Sequence, residues 1–176
     1  MPVVGIMVGS ASDLEIARKA AETLTEFGIE FEVGIASAHR TPADVENYAR
    51  GAKKRGIKVI IAMAGLSAAL PGVIAAHTTL PVIAVPVASG PLNGVDALLA
   101  AAQMPPGVPV GSVGIDGAKN AALLALRVIA AHDEKLSRAM DEWIGKVISE
   151  VRQGRGKIKE SNMPEIPEEA YRSQGV

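Results

Sequence analysis

Val3-Val4-Gly5-Ile6-Met7-Val8-Gly9-Ser10-Ala11-Ser12-Asp13 is the stretch that decides the fold. The run from Val3 to Val8 is apolar without alternation, as in a central parallel strand covered on both faces. It breaks into a small polar turn, and Ser12 or Asp13 is placed to cap a helix reaching about Phe27. Leu14, Ala17, Ala20 and Leu24 then fall at helical spacing, and Gly28 ends the helix. The pattern repeats down the chain. Residues 31–36 read as a second strand and 42–55 as a helix with proline in its first turn, stopped by Gly56. Residues 59–64, 82–87 and 110–115 read as further strands, separated by helices over 71–77 and 95–102. A last helix of the series covers 117–131.

Strands alternating with helices predict an α/β fold, a three-layer doubly wound parallel sheet with helices on both faces. The expected strand order is flavodoxin-like, 2-1-3-4-5, with a cleft at the carboxyl ends of the first and third strands. An amphipathic helix follows Lys135 and runs to about Val151. Residues 1–152 are therefore expected to form one α/β domain including this C-terminal helix. Residues 153–176, with Pro164 and Pro167, form a polar tail that either wanders or clasps a neighbouring subunit. The 117–131 helix is apolar nearly all round, which predicts burial of both faces, inside the domain or against another subunit.

At 176 residues the chain suits one well-buried domain. Its net charge of −1 carries no electrostatic footprint for nucleic acid. The sparse aromatics Phe27, Phe31, Tyr48, Trp143 and Tyr171 offer no stacking platform for single strands. Cysteine is absent, and His39, His77 and His132 share no metal-ligand spacing, so no metal site is read. Met1 leads straight into the first strand, and no signal peptide is read. The apolar run 121–131 contains Arg127 and is too short to span a bilayer. The expectation is a cytoplasmic protein with neither membrane nor nucleic acid as partner.

Three polar turns follow strand ends, where open α/β sheets bind ligands. Gly9 to Asp13 combines helix N-terminal amides with the hydroxyls of Ser10 and Ser12, a setting for an anion. Asp13 would repel phosphate but accept hydrogen bonds from ribose hydroxyls; an ordinary N-cap explains the same residues. Ser37-Ala38-His39-Arg40-Thr41-Pro42 seats an imidazole that can move protons near neutral pH beside a guanidinium suited to phosphate. Gly65 to Gly72, with Ser67, Ala68 and Leu70, is small enough for a planar ligand to approach closely. The connection 86–94 is rich in proline and glycine and suits the wall of a preformed pocket. His77 and His132 read as structural.

Taken in order, these turns resemble one family. Gly9-Ser-Ala-Ser-Asp13, Ser37-Ala-His-Arg-Thr-Pro42, Leu70-Pro-Gly72, Pro81-Val-Ile-Ala-Val-Pro86, Leu92-Asn-Gly-Val-Asp96, Gln103-Met-Pro105 and Asn120-Ala-Ala-Leu-Leu-Ala125 are its successive motifs. The family is the catalytic subunit of phosphoribosylaminoimidazole carboxylase, which includes the N5-carboxyaminoimidazole ribonucleotide mutases of purine biosynthesis. The resemblance spans about residues 3 to 135. It implies a small-molecule ribonucleotide substrate, no cofactor and no metal, and a homo-octamer with sites near subunit interfaces. It also points to a functional link with an ATP-dependent synthetase that makes the N-carboxylated substrate.

By that resemblance Ser10 and Arg40, helped by Ser12, hold the 5′-phosphate, and Asp13 binds the ribose. Ser37 and Ala38 line the pocket, and His39 is the catalytic acid and base. The loop Gly65, Ser67, Ala68 and Leu70 surrounds the aminoimidazole and the migrating carboxylate. One turn departs from the pattern. Mutases usually read Gly-Gly-Ala-Ala-His-Leu-Pro-Gly there, and this chain has Gly65-Leu-Ser-Ala-Ala-Leu-Pro-Gly72, with Ala69 in place of the histidine. The branch that carboxylates aminoimidazole ribonucleotide directly has serine and alanine at the positions of Ser67 and Ala69. Residues 81–109 follow the mutase pattern instead. Three readings stay open: mutase, direct carboxylase, and a non-catalytic nucleotide-binding module.

Overall fold

The computed structural model describes residues 1–172. Residues 1–136 form one compact unit and the chain from Ser137 onward a second. In the first unit, β1 (Val4–Val8), β2 (Phe31–Ile35), β3 (Val59–Gly65), β4 (Val82–Val87) and β5 (Gly111–Ser112) make one parallel sheet. Its order is β2-β1-β3-β4-β5, as the sequence predicts. Helices α1 (Leu14–Glu26) and α5 (Ala118–Ala130) pack together on one face. On the other lie α2 (Pro42–Ala52), α3 (Leu70–Ala76) and α4 (Val95–Ala102). This is a doubly wound, flavodoxin-like architecture.

The unbroken apolar runs behave as their composition requires. Every residue of β1 and β4 is buried, and so is all of β3 before Gly65. Under the α2–α3–α4 layer, Met7, Ile60, Ala62 and Ala64 of the sheet meet Val45, Ala49, Leu70, Ile74 and Ala97 of the helices. Small residues dominate this core, and they let the helices lie close to the sheet. α1 stops at Gly28 (φ 66), with the N–H groups of Gly28 and Ile29 donating to the carbonyls of Thr25 and Leu24 at 2.9 Å each. A glycine at this left-handed position closes the helix without Cβ strain. α2 continues into a tighter turn, Lys53–Arg55.

Two expectations are revised and a third is narrowed. The fifth strand is two residues long rather than six. Pro109 brings no N–H to a ladder. Past Val113, whose N–H still reaches Ala84 O at 3.1 Å, the chain turns away through Asp116 at φ 55. The second concerns the start of α1, where Asp13 holds the N-cap position but the capping side chain is Ser10, one turn earlier. A short tight turn, Ala11–Asp13, precedes the helix, and Ser10 Oγ accepts from Ser12 N across it at 3.5 Å. Asp13 makes no side-chain cap hydrogen bond. The third is α5, which buries Ala118, Ala121, Ala122, Ala125, Leu126 and Ile129 but leaves Leu124 and Val128 exposed. Among the described residues only one face is covered, because α5 lies in an outer layer against α1, β3 and β4.

α6 runs from Glu134 to Gly154 and carries the chain from the first unit into the second. Beyond it, the expected tail contains a short helix, α7 (Gly156–Glu160), and a single turn, Glu168–Tyr171. Arg155 lies 3.7 Å from the centre of the Tyr171 ring. Residues 173–176 of the tail lie outside the described residues. No helix among the described residues is long and apolar enough to cross a membrane.

Candidate functional site

The strands end at nearly one level, and this aligns the turns that follow. Gly9 N donates to Met63 O at 3.1 Å and Ala36 N to Val8 O at 3.0 Å, so the ladder continues to the last residue of each strand. The sheet grows outward from β1 to β2 on one side and from β3 to β5 on the other, and this switch in winding opens a crevice at the carboxyl ends of β1 and β3. A cavity of about 490 Å³ sits there, within the range of small-molecule sites.

All eleven residues singled out in the sequence line this cavity: Ser10, Ser12, Asp13, Ser37, Ala38, His39, Arg40, Gly65, Ser67, Ala68 and Leu70. Ala69, where the histidine is replaced, and Gly9 of the first turn also line it, and Ala64, Leu66 and Ser89 complete the lining without having been assigned a role. Of these, Ser89 had a signal, since it lies in the 86–94 connection that reads as a pocket wall. His77 and His132 lie outside the cavity. His77 stands 3.9 Å from Glu46, whose carboxylate also accepts from Arg50 at 2.8 Å. That hydrogen bond, then the charges of Arg50 and His77, hold the Glu46 carboxyl below its ordinary value.

The turn after β2 is held by its own side chains. Ser37 N donates to Thr41 Oγ1 at 3.0 Å while Thr41 N donates to Ser37 O at 2.9 Å, a reciprocal clasp. Pro42 then opens α2 where no N–H is needed. Ser37 Oγ accepts from Arg40 N at 3.3 Å and from Arg40 Nε at 3.4 Å. Arg40 Nη2 reaches across to Gly9 O at 3.1 Å. The guanidinium therefore bridges the first two turns and faces solvent with its remaining donors. His39, beside it, is exposed. In the first turn, Ser12 Oγ donates to Asp13 Oδ1 at 3.1 Å, which aims the carboxylate without using it on the helix end. One end of the cavity thus carries fixed positive charge, a helix N-terminus and an acceptor pair.

The turn after β3 is different in kind. Leu66 (φ 55) and Ala68 (φ 33) adopt left-handed backbone, which side chains other than glycine resist. Ala68 and Leu70 are buried, and Ala69 occupies the N-cap position of α3 with no side-chain hydrogen bond. This end of the cavity is apolar apart from the hydroxyls of Ser67 and Ser89. Among the described residues, no group of three or more His, Cys, Asp or Glu side chains could hold a metal ion.

Known proteins place the chain directly. The family described as AIR carboxylase matches residues 3–149. A protein of Pyrococcus horikoshii named N5-carboxyaminoimidazole ribonucleotide mutase is 54% identical over 150 residues, covering 83% of this chain and 85% of its own length. The Saccharomyces cerevisiae protein named phosphoribosylaminoimidazole carboxylase is 48% identical over 97% of this chain, which spans 29% of that longer protein. The crystal structure of Treponema denticola PurE superposes with a TM-score of 0.80 at 31% identity, covering 90% of this chain and 99% of that one. The chain belongs to the AIR carboxylase family.

Proposed function

We propose that the protein is an N5-carboxyaminoimidazole ribonucleotide mutase of purine biosynthesis, moving a carboxylate from the exocyclic nitrogen to carbon 4 of the ring. The observation that carries this reading is the convergence of a proton-transfer group, a phosphate-type cation and a small, closely approached ring pocket in one cavity. Relatives of this family bearing the mutase name supply the reaction.

In this reading Arg40, Ser10 and Ser12 take the 5′-phosphate and Asp13 the ribose hydroxyls. The ring lies against Ser37, Ala38 and the loop Gly65, Ser67, Ala68 and Leu70. The protonated His39 imidazole gives its proton to the exocyclic nitrogen as the carbon–nitrogen bond breaks, releasing carbon dioxide. The electron-rich carbon 4 attacks the trapped carbon dioxide, forming the carbon–carbon bond. Neutral His39 then removes the surplus proton from carbon 4 and restores the aromatic ring, so acid and base are one group returned to its starting state. Holding both fragments together supplies a high effective concentration for the second step.

A second reading is direct carboxylation of aminoimidazole ribonucleotide. Ser67 and Ala69, both on the cavity wall, match that branch, and the yeast relative bears the carboxylase name. Purified protein assayed with N-carboxylated substrate, and separately with aminoimidazole ribonucleotide plus bicarbonate, decides between them. Turnover of the first is expected; turnover of the second alone overturns the mutase assignment. Turnover of neither, with nucleotide still bound, establishes a non-catalytic binding module.

The same reading places the enzyme in the cytoplasm, downstream of an ATP-dependent synthetase, as a homo-octamer with the exposed Leu124 and Val128 of α5 available for subunit packing. Light scattering of the purified protein tests the assembly.

A further inference from the structure

We propose that Ser89 is a further substrate-binding residue, whose hydroxyl donates a hydrogen bond to the migrating carboxylate. The proposal rests on the mutase reading and adds to it a residue from a fourth strand end.

Ser89 lines the cavity from the loop that follows β4, and that loop is fixed on both sides. Toward the cavity, its side chain lies against the α-carbon of Gly65, where a Cβ would overlap Ser89 Oγ. One residue further on the relation is reversed, and a Cβ on Gly90 would stand 2.7 Å from the Leu66 side chain. Each loop therefore presents a glycine to a side chain of the other. Behind the loop, Asp116 Oδ1 accepts from Ala88 N at 2.9 Å, and Asp116 N donates to Pro86 O at 2.8 Å. Asp116 makes this clasp from left-handed backbone, at φ 55. Four contacts thus set the position of one hydroxyl.

That hydroxyl is uncommitted. Ser10, Ser12 and Ser37 each use their oxygen on a neighbouring backbone or side chain, whereas no hydrogen bond among the described residues involves Ser89 Oγ. Its place along the cleft decides what it meets. With neighbouring strands about 4.8 Å apart, β2 and β4 are separated by roughly 14 Å. A ribonucleotide whose phosphate is held at the β2–β1 end by Arg40 directs its base toward β3 and β4. The substituent farthest from the phosphate then reaches Ser89.

The chemistry favours a neutral donor at that point. Loss of carbon dioxide dissolves the charge of a carboxylate, so a cation beside it would stabilise the starting state more than the transition state. A hydroxyl orients the group and leaves it free to depart.

The test is equilibrium binding to the unaltered protein and to Ser89→Ala, a variant that removes the hydroxyl and adds no volume beside Gly65. The two ligands are 4-carboxy-5-aminoimidazole ribonucleotide and its uncarboxylated counterpart. Affinity for the carboxylated nucleotide should fall about tenfold or more, the scale of one hydrogen bond to a charged group, and that for the uncarboxylated one by less than about twofold. Equal losses for both ligands, or no loss for either, overturn the assignment. Failure of the unaltered protein to bind either nucleotide overturns the mutase reading itself, and so separates the two failures.

Discussion

The two ends of the cleft reach the same level of order by opposite means. At the β1–β2 end, side chains do the holding: Ser37 and Thr41 clasp each other, and Arg40 ties its turn to Gly9. The β3–β4 end is held by backbone shape and close approach, with Leu66 and Ala68 in left-handed conformation and Gly65 and Gly90 pressed against facing side chains. The first design leaves charges exposed and suits binding of a charged, hydrated group. The second presents small, largely uncharged surface and suits a ring and a carbon dioxide molecule. Function should therefore fail differently at the two ends.

The largest effect is expected at His39, in the turn after β2. His39→Asn keeps the hydrogen-bonding shape but cannot transfer a proton, and turnover should fall about a hundredfold or more while nucleotide affinity holds. Activity within about threefold of the parent would remove His39 from the mechanism. At the polar end, Arg40→Leu should raise KM by about tenfold or more, since a charge-assisted contact of this kind is worth about 1.5–3 kcal/mol. A ligand lacking the phosphate should be indifferent to the change. If it weakens equally, the guanidinium serves the turn and not the phosphate.

At the apolar end the expected damage is to stability. Gly65→Ala places a methyl group against Ser89 Oγ, with Val87 O only 3.2 Å away, and overpacking of this kind costs about 1–3 kcal/mol. Adding Ser89→Gly should recover part of the loss in thermal melting; no recovery would mean that the two loops are not packed as described. The smallest effect lies outside the cleft, at Glu46. Its folded-state pKa is lowered from 4.5, first by the hydrogen bond from Arg50. The stabilisation is present above pH 4.5 and is lost as pH falls through the lowered value. Glu46→Gln should therefore lower the melting temperature slightly at neutral pH, with the difference closing in acid.

The elements most legible in the sequence were those buried on both faces. β1, β3 and β4 announce themselves as unbroken apolar runs, and their helices by caps and spacing. β5 was over-read because an edge strand is as long as its neighbour's hydrogen bonds allow, and Asp116 and Pro109 limit it to Gly111 and Ser112. The capping role of Ser10 is not legible in the sequence, because the tight turn Ala11–Asp13 depends on how β1 delivers the chain, which local propensity does not describe. In the cleft, charged and hydroxyl residues after β1 and β2 stand out against apolar surroundings. Ser89 stands out only as part of the 86–94 pocket wall, because its own importance comes from Gly65 and Asp116, both more than twenty residues away in sequence.

The sheet ends on two unlike margins. β5 offers only two residues, too few to recruit another strand. β2 offers five, with Val33 and Ile35 about half exposed. An open strand of that length is a template for unwanted pairing between partly folded chains. Glu32 within it and Glu30 just before it are the residues that discourage such growth, and Glu32 is further anchored by Arg55 at 2.8 Å. The strand that carries His39 and Arg40 to the cleft is thus also the place where crowding during refolding would first show as aggregation.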